Sequence, residues 1–184
     1  MSKLTVFNFI TLNGYFKGPN DDISWHTHGA EENEYAHNAL KNNNTLIFGR
    51  ITYQLMAGYW PTAFAIKNDP EMATAMNKAD KVVFSRTLQK ADWNNTRLVK
   101  DKMAEEIKKL KSADKDLTIL GSGSIVTQLA EQKLIDEYQI MIDPVILGDC
   151  VPMFKNITRR LSPQLTDTRT FKSGVVLLSY KSNH

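Results

Sequence analysis

The chain has 184 residues, 42% of them hydrophobic and 23% charged, which suits one globular domain spanning residues 1–184. A domain of this size buries about 70% of the surface its unfolded chain exposes, so it needs neither a metal nor a disulfide to fold. A net charge of +3 and a single cysteine, Cys150, argue against a nucleic-acid binder and exclude an internal disulfide, and no run reaches the roughly 18 apolar residues that span a bilayer.

Leu4 to Thr11 is β-rich and nearly continuous in apolar residues, as in a strand buried on both faces. It is too short for a signal peptide and lacks a small-residue cleavage site, so the expected location is the cytoplasm. Asn13-Gly14 ends the strand, and a polar loop from Lys17 to Gly29 follows. The spacing of Tyr35 and Ala39 predicts a helix over Glu31 to Lys41, stopped by Asn42-Asn43-Asn44. Thr45 to Phe48 reads as a strand running into Gly49-Arg50, with a helix beginning at Thr52.

Asp69-Pro70 has the form of an N-cap followed by proline at the first helical position, opening a helix through Met76. Lys81 to Phe84 is a strand. Asp101 is the expected cap of a helix with Met103, Ile107 and Leu110 on one stripe. Its basic run, Lys108, Lys109, Lys111 and Lys115, stands beside Glu105, Glu106 and Asp114 and reads as a solvated face.

Leu117 to Leu120 is a strand, Gly121-Ser122-Gly123 a tight turn, and Ile125 with Leu129 mark a helix. Glu137 to Ile142 is a strand ended by Pro144. Thr168 to Phe171 and Val175 to Tyr180 flank Ser173-Gly174 as a closing hairpin. Strands and helices alternate and the end is all-β. The pattern predicts an α/β fold: a mostly parallel central sheet with helices on both faces and an antiparallel C-terminal hairpin.

Three strand ends carry the chemistry. In Phe48-Gly49-Arg50-Ile51-Thr52-Tyr53, glycine allows close approach, Arg50 offers a planar fork, and a helix start offers free amides to an anion. Val83-Phe84-Ser85-Arg86 ends a second strand with a hydroxyl and a guanidinium. Leu120-Gly121-Ser122-Gly123-Ser124-Ile125 is a glycine-rich turn into a helix, able to cradle a pyrophosphate. It is not a full dinucleotide fingerprint, because Val126 stands at the third glycine's place and no acid follows about 20 residues on. Each segment alone is also an ordinary turn. Together they suit a dinucleotide with an added 2′-phosphate, which favours NADPH over NADH.

Seven segments in order resemble the dihydrofolate reductase superfamily, and most closely the reductase domain of the bifunctional riboflavin-pathway enzyme. They are Thr11–Gly14, Gly49–Tyr53, Tyr59–Pro61, Lys81–Leu88, Leu120–Ser124, Leu134–Glu137 and Pro144–Gly148. The resemblance implies the three-layer fold of that superfamily. It also implies that Arg50 to Thr52 with Ser85-Arg86 hold the 2′-phosphate, and that Gly121 to Ile125 hold the pyrophosphate. The loop from Tyr15 to Gly18, with Phe16, lies near the nicotinamide. The implied cofactor residues are thus Phe16, Gly49, Arg50, Ile51, Thr52, Phe84, Ser85, Arg86, Gly121, Ser122, Gly123, Ser124 and Ile125. A homodimer is implied as well.

The departures concern the substrate. Asn33 stands where a folate reductase carries its acid, with Glu32 and Glu34 beside it. Asn13 and Leu120 replace acids of the riboflavin-pathway branch. The expected activity is therefore NADPH-dependent hydride transfer to a planar heterocycle, carbonyl or imine, with aminouracil or dihydrofolate reduction less favoured. A nucleotide-binding protein without turnover is the alternative. Asn13, Trp25, Asn33, His37 and Tyr53 are the expected substrate contacts, with Asn13, Trp25 and Glu34 as catalytic candidates. Trp25, Tyr53, Tyr59 and Trp60 are considered as an aromatic wall, although each alone suits the core better, with Trp25, which precedes the first helix, evenly balanced. His26 and His28 are discounted as metal ligands for want of a third at a suitable spacing.

Overall fold

The computed structural model describes residues 2–26, 29–41 and 44–183. Among the described residues there are ten strands: β1 (Leu4–Thr11), β2 (Tyr15–Lys17), β3 (Thr45–Gly49), β4 (Lys81–Phe84), β5 (Thr96–Val99), β6 (Leu117–Leu120), β7 (Glu137–Asp143), β8 (Val151–Pro152), β9 (Gln164–Thr170) and β10 (Val176–Lys181). Six α-helices join them: α1 (Ala30–Lys41), α2 (Arg50–Tyr59), α3 (Ala63–Asn68), α4 (Pro70–Lys78), α5 (Met103–Lys111) and α6 (Gly123–Glu131). Eight strands form one sheet in the order β5-β4-β3-β6-β1-β7-β10-β9, and β2 pairs with β8 in a small ribbon. From β5 to β7 the pairs are parallel. The β7–β10 and β10–β9 pairs are antiparallel.

The α/β architecture expected from the sequence is therefore present. Among the described residues no helix is long and apolar enough to cross a membrane.

Side chains alternate across each strand, so each face of the sheet builds its own core. On one face Leu4, Val6, Ile47 and Ile119 pack with Ile107 of α5 and Leu129 of α6. On the other, Leu46, Phe48 and Val83 pack with Tyr53 of α2, Met72 and Met76 of α4, and Trp93. A third cluster on that second side joins Met141, Phe171, Val175 and Leu177 to Phe7, Phe9 and Tyr35. Each such Leu, Ile or Phe contributes about 1.5–3 kcal/mol by leaving water. On the first face of β1, Leu4, Val6 and Asn8 are buried and Ile10 is partly so. Thr5, Phe7 and Phe9 on the second are only half-buried, so the strand is not buried on both faces as its composition suggests.

Local signals explain most element ends. Asp69 caps α4 by accepting from the Met72 amide at 3.0 Å, with Pro70 in the first turn. Thr62 caps α3 through the Ala65 amide at 3.2 Å. Asp101 does not cap α5. Lys102 holds that position with a left-handed φ of 54° and no side-chain cap. α2 begins at Arg50, two residues before the expected Thr52. β10 is interior, between β7 and β9, so Val176 and Leu178 do not form the bare edge that the hairpin's composition suggests. β9 does, and all of its residues are exposed.

The C-terminus of α4 ends on a buried ammonium. Lys81, 1% exposed, donates to the carbonyls of Met76 at 2.8 Å and Ala79 at 2.6 Å, and lies 4.4 Å over the Trp93 ring. These contacts satisfy carbonyls that a helix end leaves open. Burial nonetheless pulls the Lys81 ammonium down to about 8. The unfolded chain keeps an ordinary lysine near 10.5, so between the two values it binds more protons than the folded one. Stability from this group therefore rises as pH rises through that window. Thermal melts at several pH values are expected to show this rise in the parent and not in Lys81→Met. Lys81→Ala is expected to cost about 2–5 kcal/mol in urea titrations, as a large buried side chain is lost.

Candidate functional site

A cleft of about 1600 Å³ opens along the carboxyl ends of the parallel strands and continues beneath α1. In open α/β sheets this is where ligands bind. All thirteen expected cofactor residues line it, from Phe16 through Gly49–Thr52 and Phe84–Arg86 to Gly121–Ile125.

Its centre is a cross-link between two strand ends. The Ser122 hydroxyl accepts from the Gly49 amide at 2.8 Å and donates to the Leu120 carbonyl at 3.2 Å. The Ser122 amide donates to Thr52 Oγ1 at 3.1 Å. The carbonyl of Gly121 accepts from Asn8 Nδ2 at 3.0 Å. These bonds set the starts of α2 and α6 side by side, and neither start carries a side-chain cap. The first amides of each helix have no partner within the helix, and the dipole adds partial positive charge there. The pair is a ready site for anions.

Space at the turn is close. Gly121 has φ +58°, and a Cβ there would meet Thr52 Cγ2 and Oγ1 at 2.9 Å. At Gly123 a Cβ would meet the Phe16 ring at 3.0 Å, because β2 folds over the turn.

The hydroxyls divide into internal and open groups. Ser122 is buried and Thr52 is engaged by the turn, so their side chains serve the scaffold. Ser85 Oγ accepts from the Leu88 amide at 2.9 Å and shapes the loop after β4. Ser124, Arg50 and Arg86 are exposed. Arg50 Nη1 touches Gln54 Oε1 at 3.0 Å, an exposed contact that leaves the guanidinium accessible to a ligand. Lys100 and Lys102 add to the positive charge at this end.

The five expected substrate contacts do not line the cleft. Tyr53 is core, and its hydroxyl accepts from the Trp93 amide at 3.0 Å. His37 turns to α4, with Nε2 3.1 Å from Asp69 Oδ2. Asn13 is an exposed clamp whose amide donates to the Leu147 carbonyl at 2.7 Å. The Asn33 amide bonds Gly29 within the helix start, and Glu34 faces solvent. Trp25 lies behind the wall, edge-on to Phe9 with centroids 5.8 Å apart, and its Nε1 is buried without a hydrogen-bond partner among the described residues. Beside it His26 Nδ1 meets both Asp143 oxygens at 2.8 Å, and its ring stacks on Phe9 at 3.7 Å.

The walls beneath α1 come instead from Phe7, Phe9, Tyr35, Met56 and Trp60, so of the expected aromatic wall only Trp60 lines the cleft. Burial pushes the Tyr35 phenol up, opposed by the Arg169 guanidinium, so the phenol stays protonated and able to donate. The signal for Phe7 and Phe9 lay in their alternation on β1. The signal for Asn8 was a polar residue inside an apolar strand. Among the described residues no three metal-ligating side chains cluster, and His28 of the discounted pair lies outside the described residues.

The fold is that of an α/β domain of dihydrofolate-reductase-like architecture. The chain belongs to the RibD C-terminal domain family, which it matches over residues 2–177. It is 31% identical over 175 residues to the uncharacterized protein YyaP of Bacillus subtilis (strain 168), covering 95% of this chain and 92% of that one. A putative riboflavin biosynthesis protein from Shewanella sp. PV-4 superposes with TM-score 0.77 at 19% identity, over 99% of each chain. The diaminohydroxyphosphoribosylaminopyrimidine deaminase/5-amino-6-(5-phosphoribosylamino)uracil reductase of Thermotoga maritima superposes with TM-score 0.69 at 13% identity. That likeness covers 99% of this chain and 57% of the other, and both structural likenesses are of fold.

Gly121→Ala is expected to lower stability by about 1–3 kcal/mol, since it forces a left-handed alanine against Thr52. A urea midpoint equal to the parent's would show that the turn accepts a side chain.

Proposed function

We propose that the protein is an NADPH-dependent reductase acting on a small planar heterocycle, carbonyl or imine. The observation that carries this reading is the pair of uncapped helix starts, α2 and α6, locked together by Ser122 and flanked by Arg50 and Arg86. A phosphorylated dinucleotide needs amides for its pyrophosphate and a guanidinium for its 2′-phosphate. This donor set meets both needs.

Gly121 to Ile125 would take the pyrophosphate, with Gly49 and Phe84 supplying backbone alongside. Arg50 to Thr52 and Ser85-Arg86 would take the 2′-phosphate. Phe16, packed against Gly123, would border the nicotinamide. The cofactor supplies the hydride when bound. The chain's own residues orient the acceptor against Phe7, Phe9 and Trp60 and exclude water. Among the described residues Tyr35 is the titratable side chain that α1 presents to the cleft, and its protonated phenol can hydrogen-bond the acceptor.

One observation favours binding without turnover. No carboxylate of α1 lines the cleft, because Glu31 and Glu32 bond to Lys172 and Ser173 of the β9–β10 turn and Glu34 is exposed. Loss of NADPH absorbance against carbonyls, imines, pterins and quinones separates the two readings.

NADPH is expected to bind more tightly than NADH. A charge-assisted arginine–phosphate contact is worth about 1.5–3 kcal/mol, or roughly tenfold to over a hundredfold in affinity. Fluorescence titration of both cofactors checks this, and Arg50→Ala is expected to narrow the gap by weakening NADPH. Equal affinities in the parent would count against the proposal.

We also propose a homodimer through β9. An exposed edge strand presents unpaired backbone groups, and symmetric pairing covers them. Antiparallel self-pairing centred on Thr168 sets Asp167 opposite the partner's Arg169 twice. Light scattering at micromolar concentration is expected to give about twice the 20.9 kDa chain mass. Asp167→Lys is expected to return it towards the monomer value.

A further inference from the structure

The charges lining the cleft are divided between its two ends. Arg50, Arg86, Lys100 and Lys102, with Asp101 as the one acid among them, follow the carboxyl ends of β3, β4 and β5. Beneath α1 the balance is reversed. Among the described residues the lining cation at that end is Lys3, already 2.6 Å from Glu137, and Asp116 and Glu137 outweigh it.

The floor of this half is polar but uncharged. Thr5 of β1 registers with Thr118 of β6, and one step on Phe7 registers with Gln139 of β7. Thr5, Thr118 and Gln139 all line the cleft, and Thr118 Oγ1 accepts from Asn44 Nδ2 at 2.9 Å. Above them α1 offers Tyr35 and the small Ala36 and Ala39, which leave the space open. Met56 and Trp60 form an apolar side wall.

Hydroxyls and a carboxamide both donate and accept, so they match a neutral polar ligand. A phosphate or carboxylate here would lose its water and face Asp116 and Glu137, and among the described lining residues it would meet only a lysine already paired, since Arg169 sits over the Phe171 and Tyr35 rings and does not line the cleft.

We infer that the acceptor bound beneath α1 is an uncharged, hydrogen-bonding ring compound, not a phosphate ester or a polycarboxylate, and that Thr5, Thr118 and Gln139 select it. The inference rests on the reductase reading above. It separates this chain from an enzyme whose substrate carries a ribosyl phosphate, although the fold is shared.

Matched pairs of neutral and anionic compounds test it. One pair is a dihydropteridine lacking the glutamate tail, set against dihydrofolate. The other is 5-amino-6-ribosylaminouracil, set against its 5′-phosphate. Calorimetry on the NADPH-loaded protein measures binding, and loss of NADPH absorbance measures turnover. The neutral member is expected to bind at least about tenfold more tightly in each pair that binds. Gln139→Leu and Thr118→Val are expected to weaken the neutral ligand by about tenfold while NADPH affinity stays at the parent's value, which also reports that the variants fold. An anionic member that binds equally or better overturns the inference. So does a failure of both neutral compounds to bind the loaded protein. Failure of NADPH itself to bind brings down the cofactor reading instead.

Discussion

The hydroxyl of Ser122 ties the site together. It bridges the ends of two neighbouring parallel strands, taking the Gly49 amide and giving to the Leu120 carbonyl. With the Ser122 amide bound to Thr52, the starts of α2 and α6 have one relative position. Two helix starts fixed side by side concentrate partial positive charge that either alone would spread into solvent. The arrangement asks for left-handed backbone at both Gly121 and Ser122, a conformation that non-glycine residues rarely adopt. Ser122 is held there by its three bonds, so the same contacts that create the site also offset its strain.

The two faces of the sheet divide the work. Under α5 and α6 the packing is continuous and apolar, and this face holds the largest of the three apolar clusters. The opposite face carries two apolar clusters with the cleft between them. α1 therefore rests on its neighbours more than on the strands below. It is anchored by His37 to Asp69 of α4, and by Glu31 and Glu32 to the β9–β10 turn. Polar contacts at the rim leave the space beneath the helix open.

Much of this was legible in the sequence, and what was missed has physical causes. Strong apolar runs and the Asp69-Pro70 cap marked their elements correctly, because each signal is local. The strand-end segments could be read as neighbours, and all of them line one cleft. The five expected substrate contacts fall outside it. His37 and Asn33 were assigned by their places in the family resemblance, but a helix turns 100° per residue and a small change in register redirects every side chain. Tyr53 has the composition of a binding aromatic and the environment of a core one. Only its distant partner, Trp93, decides between them. β5 and the two-stranded ribbon were missed because short, half-polar strands take their shape from neighbours rather than from their own pattern.

Arg169 belongs to the outermost strand, and its guanidinium lies 4.8 Å from the centre of the Phe171 ring and 5.9 Å from that of Tyr35. One side chain thus spans from the rim of the sheet to the wall of the cleft. A molecule that pairs with β9 and draws on that positive charge would alter the field felt by the Tyr35 phenol. The sheet edge and the cleft would then communicate through a single cation, with no backbone movement required.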